Sequence, residues 1–231
     1  MEAHDAAASF IYKVWPQIEA NKNRIITGGV IVLAVVLITL IFFWRHDQHQ
    51  IDAGDALTES LISIPPNANP SQFSQRYLAI ADDYSGTQSG ARALLQGATS
   101  LFAQGKYSDA QGYFQRYLDE HPDDQFSGIA ALGVARCDEA QGKISDAIGA
   151  YQHVIQDSSD EQSVTQAKFS KARLSMQEGH YSDAFQDFQA VIQADPYGAL
   201  GNEARQFAYE LQSKIPKQAP TAPPSSFNLS H

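Results

Sequence analysis

The sequence has little of the chemistry that most enzymes use. Its 231 residues include one cysteine, Cys137, so no internal disulfide can form and any exported part must be stable through its core alone. We interpret Cys137, which lies in a helical pattern of small residues, as a buried apolar side chain. There is no glycine-rich phosphate loop, nucleophile elbow or Cys-x-x-Cys pair, and His46 and His49 have no evident third ligand. We therefore predict no enzyme activity, no metal site, no cofactor and no small-molecule substrate.

Basic residues are also scarce. The chain has 16 Lys and Arg against 26 Asp and Glu, a formal net charge of −10. Three residues of each sign precede residue 25, and none lies in 25–44, so the whole excess of negative charge falls on residues 45–231. An acidic surface of this kind argues against binding to nucleic acid and against docking of this part on anionic lipid.

The sequence does contain one long apolar run, residues 25–44, which has no charged side chain. At about 1.5 Å per residue the run is about 30 Å long, the hydrocarbon thickness of a bilayer, so we predict a transmembrane helix. The alternative is a buried core helix of a soluble protein. The bulky polar residues that follow, 45–50, do not resemble a signal-peptide cleavage site, which favours an uncleaved anchor.

The flanks of the run predict its orientation. Lys13, Lys22 and Arg24 precede it, whereas the next twenty residues after it carry Arg45 as their one Lys or Arg. Because basic flanks remain in the cytoplasm, residues 1–24 should be a cytoplasmic arm and the large C-terminal part should be exported.

The exported part contains an internal repeat. Three similar hexapeptides, GKYSDA at 105–110, GKISDA at 142–147 and GHYSDA at 179–184, are each 37 residues apart. The same interval relates the alanine seven residues before each glycine, the aromatic residue nine after it and the apolar residue twelve after it. Since one short helix pair cannot bury its apolar stripe alone, the repeat predicts an all-α solenoid of stacked helical hairpins.

The residues of one repeat predict its local structure. The glycine should end the first helix in the left-handed conformation. The serine three residues later, which is Ser108, Ser145 or Ser182, should cap the second helix. The alanine should let the two helices approach, and the aromatic residue should fill the space between neighbouring hairpins.

The repeat register also predicts the organisation of the remaining chain. Extended backwards, the register gives a degenerate first helical pair at 45–88. The first helix of this pair is able to continue from the membrane span, and its turn is a proline-rich stretch at 65–70. Repeats with a C-terminal capping helix should occupy 89–214. Residues 215–231 are rich in proline and should form a disordered tail.

Over residues 89–198 the pattern Gly-x-Tyr-x-x-Ala with an aromatic four residues later, and with Pro122 and Pro196, resembles the tetratricopeptide repeat. The resemblance implies that protein segments bind a concave face lined by the first helices. Two features depart from the family. The interval is 37 rather than about 34 residues, which should lengthen the first helices by nearly a turn. Lys168 and Lys171 also occupy positions that are usually apolar.

Nine residues share the register of this concave face, and we predict that they contact a partner. Row by row they are Leu95, Leu132 and Phe169; Thr99, Arg136 and Arg173; and Phe102, Glu139 and Met176. An apolar row beside two arginines is suited to an extended chain and its carboxylates. The alternative is that the apolar residues pack within the array and the arginines pair with nearby acids.

The layout as a whole, with its arm, single span and acidic repeats, resembles the ancillary SecYEG-translocon subunit (YfgM-type) family of bacterial inner membranes. The resemblance implies a periplasmic C-terminal domain and a scaffold that binds the translocon, periplasmic chaperones or exported chains. Two alternatives remain open: a scaffold for outer-membrane or cell-wall assembly, and an accessory sensor subunit that signals through the cytoplasmic arm.

Overall fold

The computed structural model describes residues 21–62 and 69–215, and within these ranges every regular element is an α-helix. Most of the predicted arm, the proline stretch at 65–68 and nearly all of the predicted tail lie outside the described residues. The helices are α1 (Lys22–Ile62), α2 (Pro70–Asp83), α3 (Gln88–Ala103), α4 (Tyr107–Glu120), α5 (Ser127–Ala140), α6 (Ile144–Asp157), α7 (Glu161–Gln177), α8 (Tyr181–Ala194) and α9 (Ala199–Leu211).

The chain divides into two compact units between Asp55 and Ala56. The described part of the first unit belongs to α1, which does not end at residue 44 but runs on to Ile62, as predicted for its continuation beyond the apolar run. Thr27–Ser60 is long and apolar enough to cross a membrane, with a mean hydropathy of 2.6 in its most apolar window, none of which is buried. The hydroxyls of Thr27 and Thr39 donate to helix carbonyls four residues back.

The second unit contains the repeated helical hairpins, and glycine makes the turns between α3 and α4, between α5 and α6 and between α7 and α8. Gly105, Gly142 and Gly179 have φ angles of 76°, 74° and 83°, the left-handed conformation predicted for them. In each turn the N–H of the residue after the glycine donates to a carbonyl five residues back, at 3.0, 3.0 and 2.8 Å. These bonds satisfy carbonyls at the end of the first helix, as in a Schellman motif.

The prediction that serines cap the second helices is wrong. The cap positions are held by Lys106, Lys143 and His180, whose side chains make no capping hydrogen bond. Because the backbone re-enters the helical conformation right after the glycine turn, Ser108, Ser145 and Ser182 already lie within the first turn of each helix and do not occupy the cap.

The repeated positions form the core, as the sequence predicted. Each of them exposes at most 4% of its surface. They are Ala98, Ala135 and Ala172; Ala110, Ala147 and Ala184; Phe114, Tyr151 and Phe188; and Tyr117, Val154 and Val191. At the C-terminal end, α9 covers the last hairpin: Leu211 is fully buried, and Phe207 stacks on Phe188 with 5.2 Å between ring centroids. A capping helix protects the last apolar face in this way.

The residues by which the 37-residue interval exceeds the usual one of about 34 are not located in the same element of each repeat. The first helices α3 and α7 have 16 and 17 residues, but α5 has 14, the length of the second helices. The lengthening predicted for all first helices therefore does not hold for α5. Before α5 the chain forms an ordered loop, in which Asp124 accepts hydrogen bonds from the Tyr117 hydroxyl at 2.5 Å and from the Phe126 N–H at 2.8 Å.

One lysine at a usually apolar position is satisfied by polar neighbours. Lys171 Nζ lies 3.0 Å from Asp187 Oδ2 and 2.8 Å from Gln152 Oε1. The side chains of Lys171 and Asp187 expose 17% and 19% of their surface. The ion pair joins α7 to α8, and the bond to Gln152 joins α7 to the preceding hairpin, so this polar contact takes the place of apolar packing.

Candidate protein-binding groove

Four cavities adjoin one another in the second unit, because each shares lining residues with the next. The first, of about 360 Å³, lies between α2 and α3 and shares Thr99 with the second, of about 190 Å³ between α3 and α5. Phe102 and Arg136 line both the second cavity and the third, of about 210 Å³. Gln166 links the third to the fourth, of about 810 Å³ between α7 and α9. We call these four adjoining cavities together the groove.

The second cavity is mainly apolar. Phe102, Ile129 and Leu132 line it together with the ring of Phe114 and the backbone of Gly133. A Cβ atom on Gly133 would lie 2.8 Å from atoms of the Phe114 ring, so only glycine lets α5 approach that ring this closely. Ile129 exposes 45% of its surface. An exposed aliphatic side chain beside an open apolar cavity provides a contact for an apolar group of a ligand.

Arg136 lies at the boundary between the second and third cavities. Its guanidinium carbon is 5.7 Å from the centroid of the Phe102 ring, in a cation–π arrangement. The side chain is exposed, and within residues 21–62 and 69–215 it forms no salt bridge. The ring therefore holds the guanidinium in place while its N–H groups stay available to a ligand.

A charged cluster lines the third cavity. Arg173 Nη2 lies 3.2 Å from Glu139 Oε1, and the Tyr151 hydroxyl donates to Glu139 Oε2 at 2.6 Å. Burial and the hydrogen bond to Glu139 raise the pKa of Tyr151, so its hydroxyl stays protonated and continues to donate. Arg173–Glu139 and Arg136–Phe102 occupy equivalent positions in successive hairpins. In each, the arginine contacts the residue 34 positions earlier.

The structure brings six of the nine predicted contact residues together. Thr99, Phe102, Leu132, Arg136, Glu139 and Arg173 line the first three cavities. The other three line none of the four cavities. Leu95 belongs to the N-terminal part of the core, and Phe169 lies edge-to-face with Phe188 at 5.7 Å. Met176 packs against the C-terminal part of the core. We therefore exclude these three residues from the groove.

Sequence reasoning missed several groove residues, among them Ile129, Gly133, Gln166 and Ser170. The repeat interval was the signal available for finding them. Ile129 and Gln166 are 37 residues apart, and so are Gly133 and Ser170. Their side chains differ in size and polarity, so they do not stand out as a repeated motif in the way that the glycine turns do.

Stacked helical hairpins define a class of proteins, the helical-repeat solenoids. A model of the "Tetratricopeptide repeat-like domain" family matches residues 18–150, and a "Tetratricopeptide repeat" model matches residues 138–199. The chain belongs to the tetratricopeptide repeat-like domain family. No curated protein sequence matches the chain.

Solved structures with the same fold include a tetratricopeptide repeat protein from Parabacteroides merdae, with a TM-score of 0.55 and 13% identity over 72% of this chain and 61% of that one. A putative kinesin light chain from Podospora anserina has a TM-score of 0.50 and 12% identity over 74% and 86% of the two chains. The secretion chaperone SycD of Yersinia enterocolitica, solved with a peptide of the translocator YopD, has a TM-score of 0.47 and 20% identity over 53% and 92%.

Proposed function

We propose that this protein is a membrane-anchored scaffold that binds segments of other proteins in the groove. The observation that carries the proposal is that four cavities, which extend over α2, α3, α5, α7 and α9, adjoin one another through shared lining residues. Tetratricopeptide domains are general protein–protein interaction scaffolds. An extended segment suits adjoining cavities, because its side chains can enter more than one of them. The proposed role includes no catalytic step.

The anchor in this proposal is α1. Its apolar window has no buried residue, and the hydroxyls of Thr27 and Thr39 are satisfied within the helix at 2.7 Å. Both features suit a helix surrounded by lipid, where every polar group needs a partner inside the segment. The basic flank of α1 supports a cytoplasmic N-terminus, and in this proposal the groove faces the periplasm of a bacterium.

The partners we propose are exported chains, the protein translocon or periplasmic chaperones. The support is the resemblance of the layout to the ancillary SecYEG-translocon subunit family, together with a groove of a size suited to peptide segments. A scaffold for outer-membrane or cell-wall assembly would use the same groove for other proteins, so the identity of the captured partners separates the two roles.

Photo-crosslinking in native membranes tests this function. A benzoylphenylalanine placed at Ile129 lies in the groove, and the same group at Gln156 serves as the control, because Gln156 is exposed on α6 and lines none of the four cavities. We expect protein adducts from position 129 and few from position 156. Adducts with translocon subunits, chaperones or nascent exported chains support the proposed partners. Adducts limited to lipoproteins or cell-wall enzymes support the outer-envelope role, and no adducts at position 129 would contradict the scaffold.

A further inference from the structure

The second and third cavities of the groove lie near the ends of the first helices. Phe102 is in the last turn of α3, and Arg136 and Glu139 are in the last two turns of α5. Each of the three lines one or both of these cavities. The glycine turns directly follow the same helix ends. A segment that leaves the solenoid at this edge is therefore close to the two cavities.

Helix α9 brings the chain to this edge. It continues the register of the first helices, because Leu211 follows Leu174 of α7 by 37 residues and both side chains are buried. Just beyond α9, Lys214 Nζ lies 5.6 Å from the centroid of the Tyr181 ring, and Tyr181 begins α8 directly after a glycine turn. The described part of the second unit thus ends, at Ile215, beside the turns.

The next sixteen residues of the sequence, 216–231, differ in composition from the rest of the chain, and we call them the C-terminal segment. None of the 26 Asp and Glu residues is among them, and Lys217 is their one Lys or Arg. An acid-free segment with a lysine is attracted to an acidic array and not repelled by it. Four of the sixteen residues are proline, which lowers the entropy cost of holding a segment extended. The large apolar side chains of the segment are Phe227 and Leu229.

The second cavity is within reach of Phe227. Twelve residues separate Phe227 from Ile215, a length of about 37 Å in the extended polyproline conformation. The space between α3 and α5 lies between two and three helix spacings from α9, a distance of about 25 Å at about 10 Å per spacing. The cavity has a volume of about 190 Å³ and is mainly apolar. An apolar cavity of about 150 Å³ holds benzene, so a phenylalanine ring fits.

From this reach and fit we infer that the C-terminal segment occupies the groove of its own chain, with the Phe227 ring in the second cavity. The inference rests on the proposed function and adds its regulation, because a partner has to displace the segment before it binds. A short covalent connection gives an effective concentration on the order of mM, so a contact that would be weak between separate molecules is formed much of the time. The segment also covers Ile129, which is otherwise exposed to unspecific apolar association.

Crosslinking within the purified full chain tests the occupancy. Benzoylphenylalanine is placed at Ile129 or at the control position Gln156, and the chain is irradiated in detergent, digested with trypsin and studied by mass spectrometry. Trypsin cleaves after Lys217, so most of the C-terminal segment is released as the single peptide 218–231. We expect crosslinks to this peptide from position 129 and none from position 156. In a mixture of ¹⁵N-labelled and unlabelled chains, the crosslinked peptides should carry the same label.

Two double variants show what the segment does to partners. Phe227→Ser with Leu229→Ser removes its large apolar side chains. This variant should lose most crosslinks between position 129 and peptide 218–231. In native membranes its adducts with other proteins at position 129 should rise at least about twofold, because a groove covered half of the time binds with half its affinity. The control, Gln218→Ser with Ala222→Ser, changes the same segment without removing a large apolar side chain and should behave as the natural chain does.

The absence of crosslinks from position 129 to peptide 218–231 would overturn the inference. Crosslinks between labelled and unlabelled peptides would overturn it too, because the segment would then enter the groove of a second chain. If the natural chain and the Phe227→Ser, Leu229→Ser chain give equal partner adducts in native membranes, the groove binds protein without this regulation and the proposed function stands. If neither chain gives partner adducts there, the proposed function fails, whatever the crosslinks within the chain show.

Discussion

At the scale of single residues, Asp160 caps the first helix α7 with its side chain, whereas the serines predicted to cap the second helices do not act as caps. It stands at the N-cap of α7, where its carboxylate accepts hydrogen bonds from the backbone N–H groups of Gln162 at 3.3 Å and Ser163 at 3.1 Å. The Ser163 hydroxyl donates to the same carboxylate at 2.5 Å. The bond from the Ser163 hydroxyl and those from the backbone outweigh the opposing effect of burial and lower the pKa of Asp160.

We expect Asp160→Ala to lower the free energy of unfolding by about 1 kcal/mol at neutral pH, because a capping side chain is lost. The folded-state pKa of Asp160 lies below its unfolded value, so the stabilisation is complete above about pH 4 and is lost as the pH falls through the folded pKa. Urea titrations of both chains at pH 7 and pH 3 measure the difference, which should shrink at the lower pH.

Asp160→Asn is the control for the charge. Asparagine caps a helix about as well as aspartate, so this variant should keep most of the stability at pH 7. Its stability should also depend less on pH than that of the natural chain between pH 5 and pH 3. An Asp160→Ala effect of the same size at both pH values would show that the carboxylate charge contributes nothing.

The different outcomes for serine and aspartate show what sequence reasoning detects at this scale. Repetition directed attention to Ser108 and its equivalents, although their distance from the glycine already places them inside a helix that restarts at once. Asp160 lies outside the repeated hexapeptides, so they gave no signal for its capping role. Cys137, in contrast, was assigned correctly from the small residues around it: it is fully buried, and burial together with the neighbouring Asp138 raises its pKa to about 11.

At the scale of the secondary-structure elements, each hairpin depends on one left-handed residue. Gly142 has a φ of 74°, and a Cβ there would meet open space, so the cost of a side chain comes from the backbone conformation alone. Gly149 lies in the middle of α6, is exposed, and also faces open space. The two glycines therefore differ in backbone conformation and not in crowding.

The same substitution should have opposite effects at these two positions. We expect Gly142→Ala to destabilise the chain by about 1–2 kcal/mol, since alanine is strained in the left-handed region. Gly149→Ala should stabilise it by up to about 1 kcal/mol, since alanine is the better helix former. Thermal unfolding of both variants beside the natural chain measures the signs. Equal effects at the two sites would show that Gly142 is not required by its backbone conformation.

The hairpins were predictable because their signals are local and repeated. A glycine, an alanine five residues later and an aromatic residue nine residues later lie within one turn and one helix, and their burial follows from that spacing. The contacts that shape the groove are not local. Arg136 meets Phe102, and Arg173 meets Glu139, across neighbouring hairpins. These contacts depend on how far one hairpin is displaced from the next. The interval of 37 residues does not determine this displacement, because the extra residues lengthen α3 and α7 but form a loop before α5.

At the scale of the whole molecule, the proposed function requires the groove and the basic flank of α1 to be on opposite sides of a membrane. The natural chain is well suited to testing this, because its single thiol should not react with labelling reagents. Cys137 exposes 0% of its surface and its pKa is raised to about 11, so it should not react with a maleimide in the folded protein. A cysteine added at a chosen position is then the one reactive site.

We expect Ser182→Cys, at an exposed position on α8, to react with a membrane-impermeant maleimide in intact bacterial spheroplasts. Ser9→Cys, in the predicted cytoplasmic arm, should react only after the membrane is permeabilised. The natural chain should stay unlabelled in both conditions, which controls for opening of the fold around Cys137. The reverse pattern would mean that the groove faces the cytoplasm, where it cannot meet exported chains. A labelled chain that does not sediment with membranes would show that α1 is not an anchor, and the scaffold would then have to reach its partners from solution.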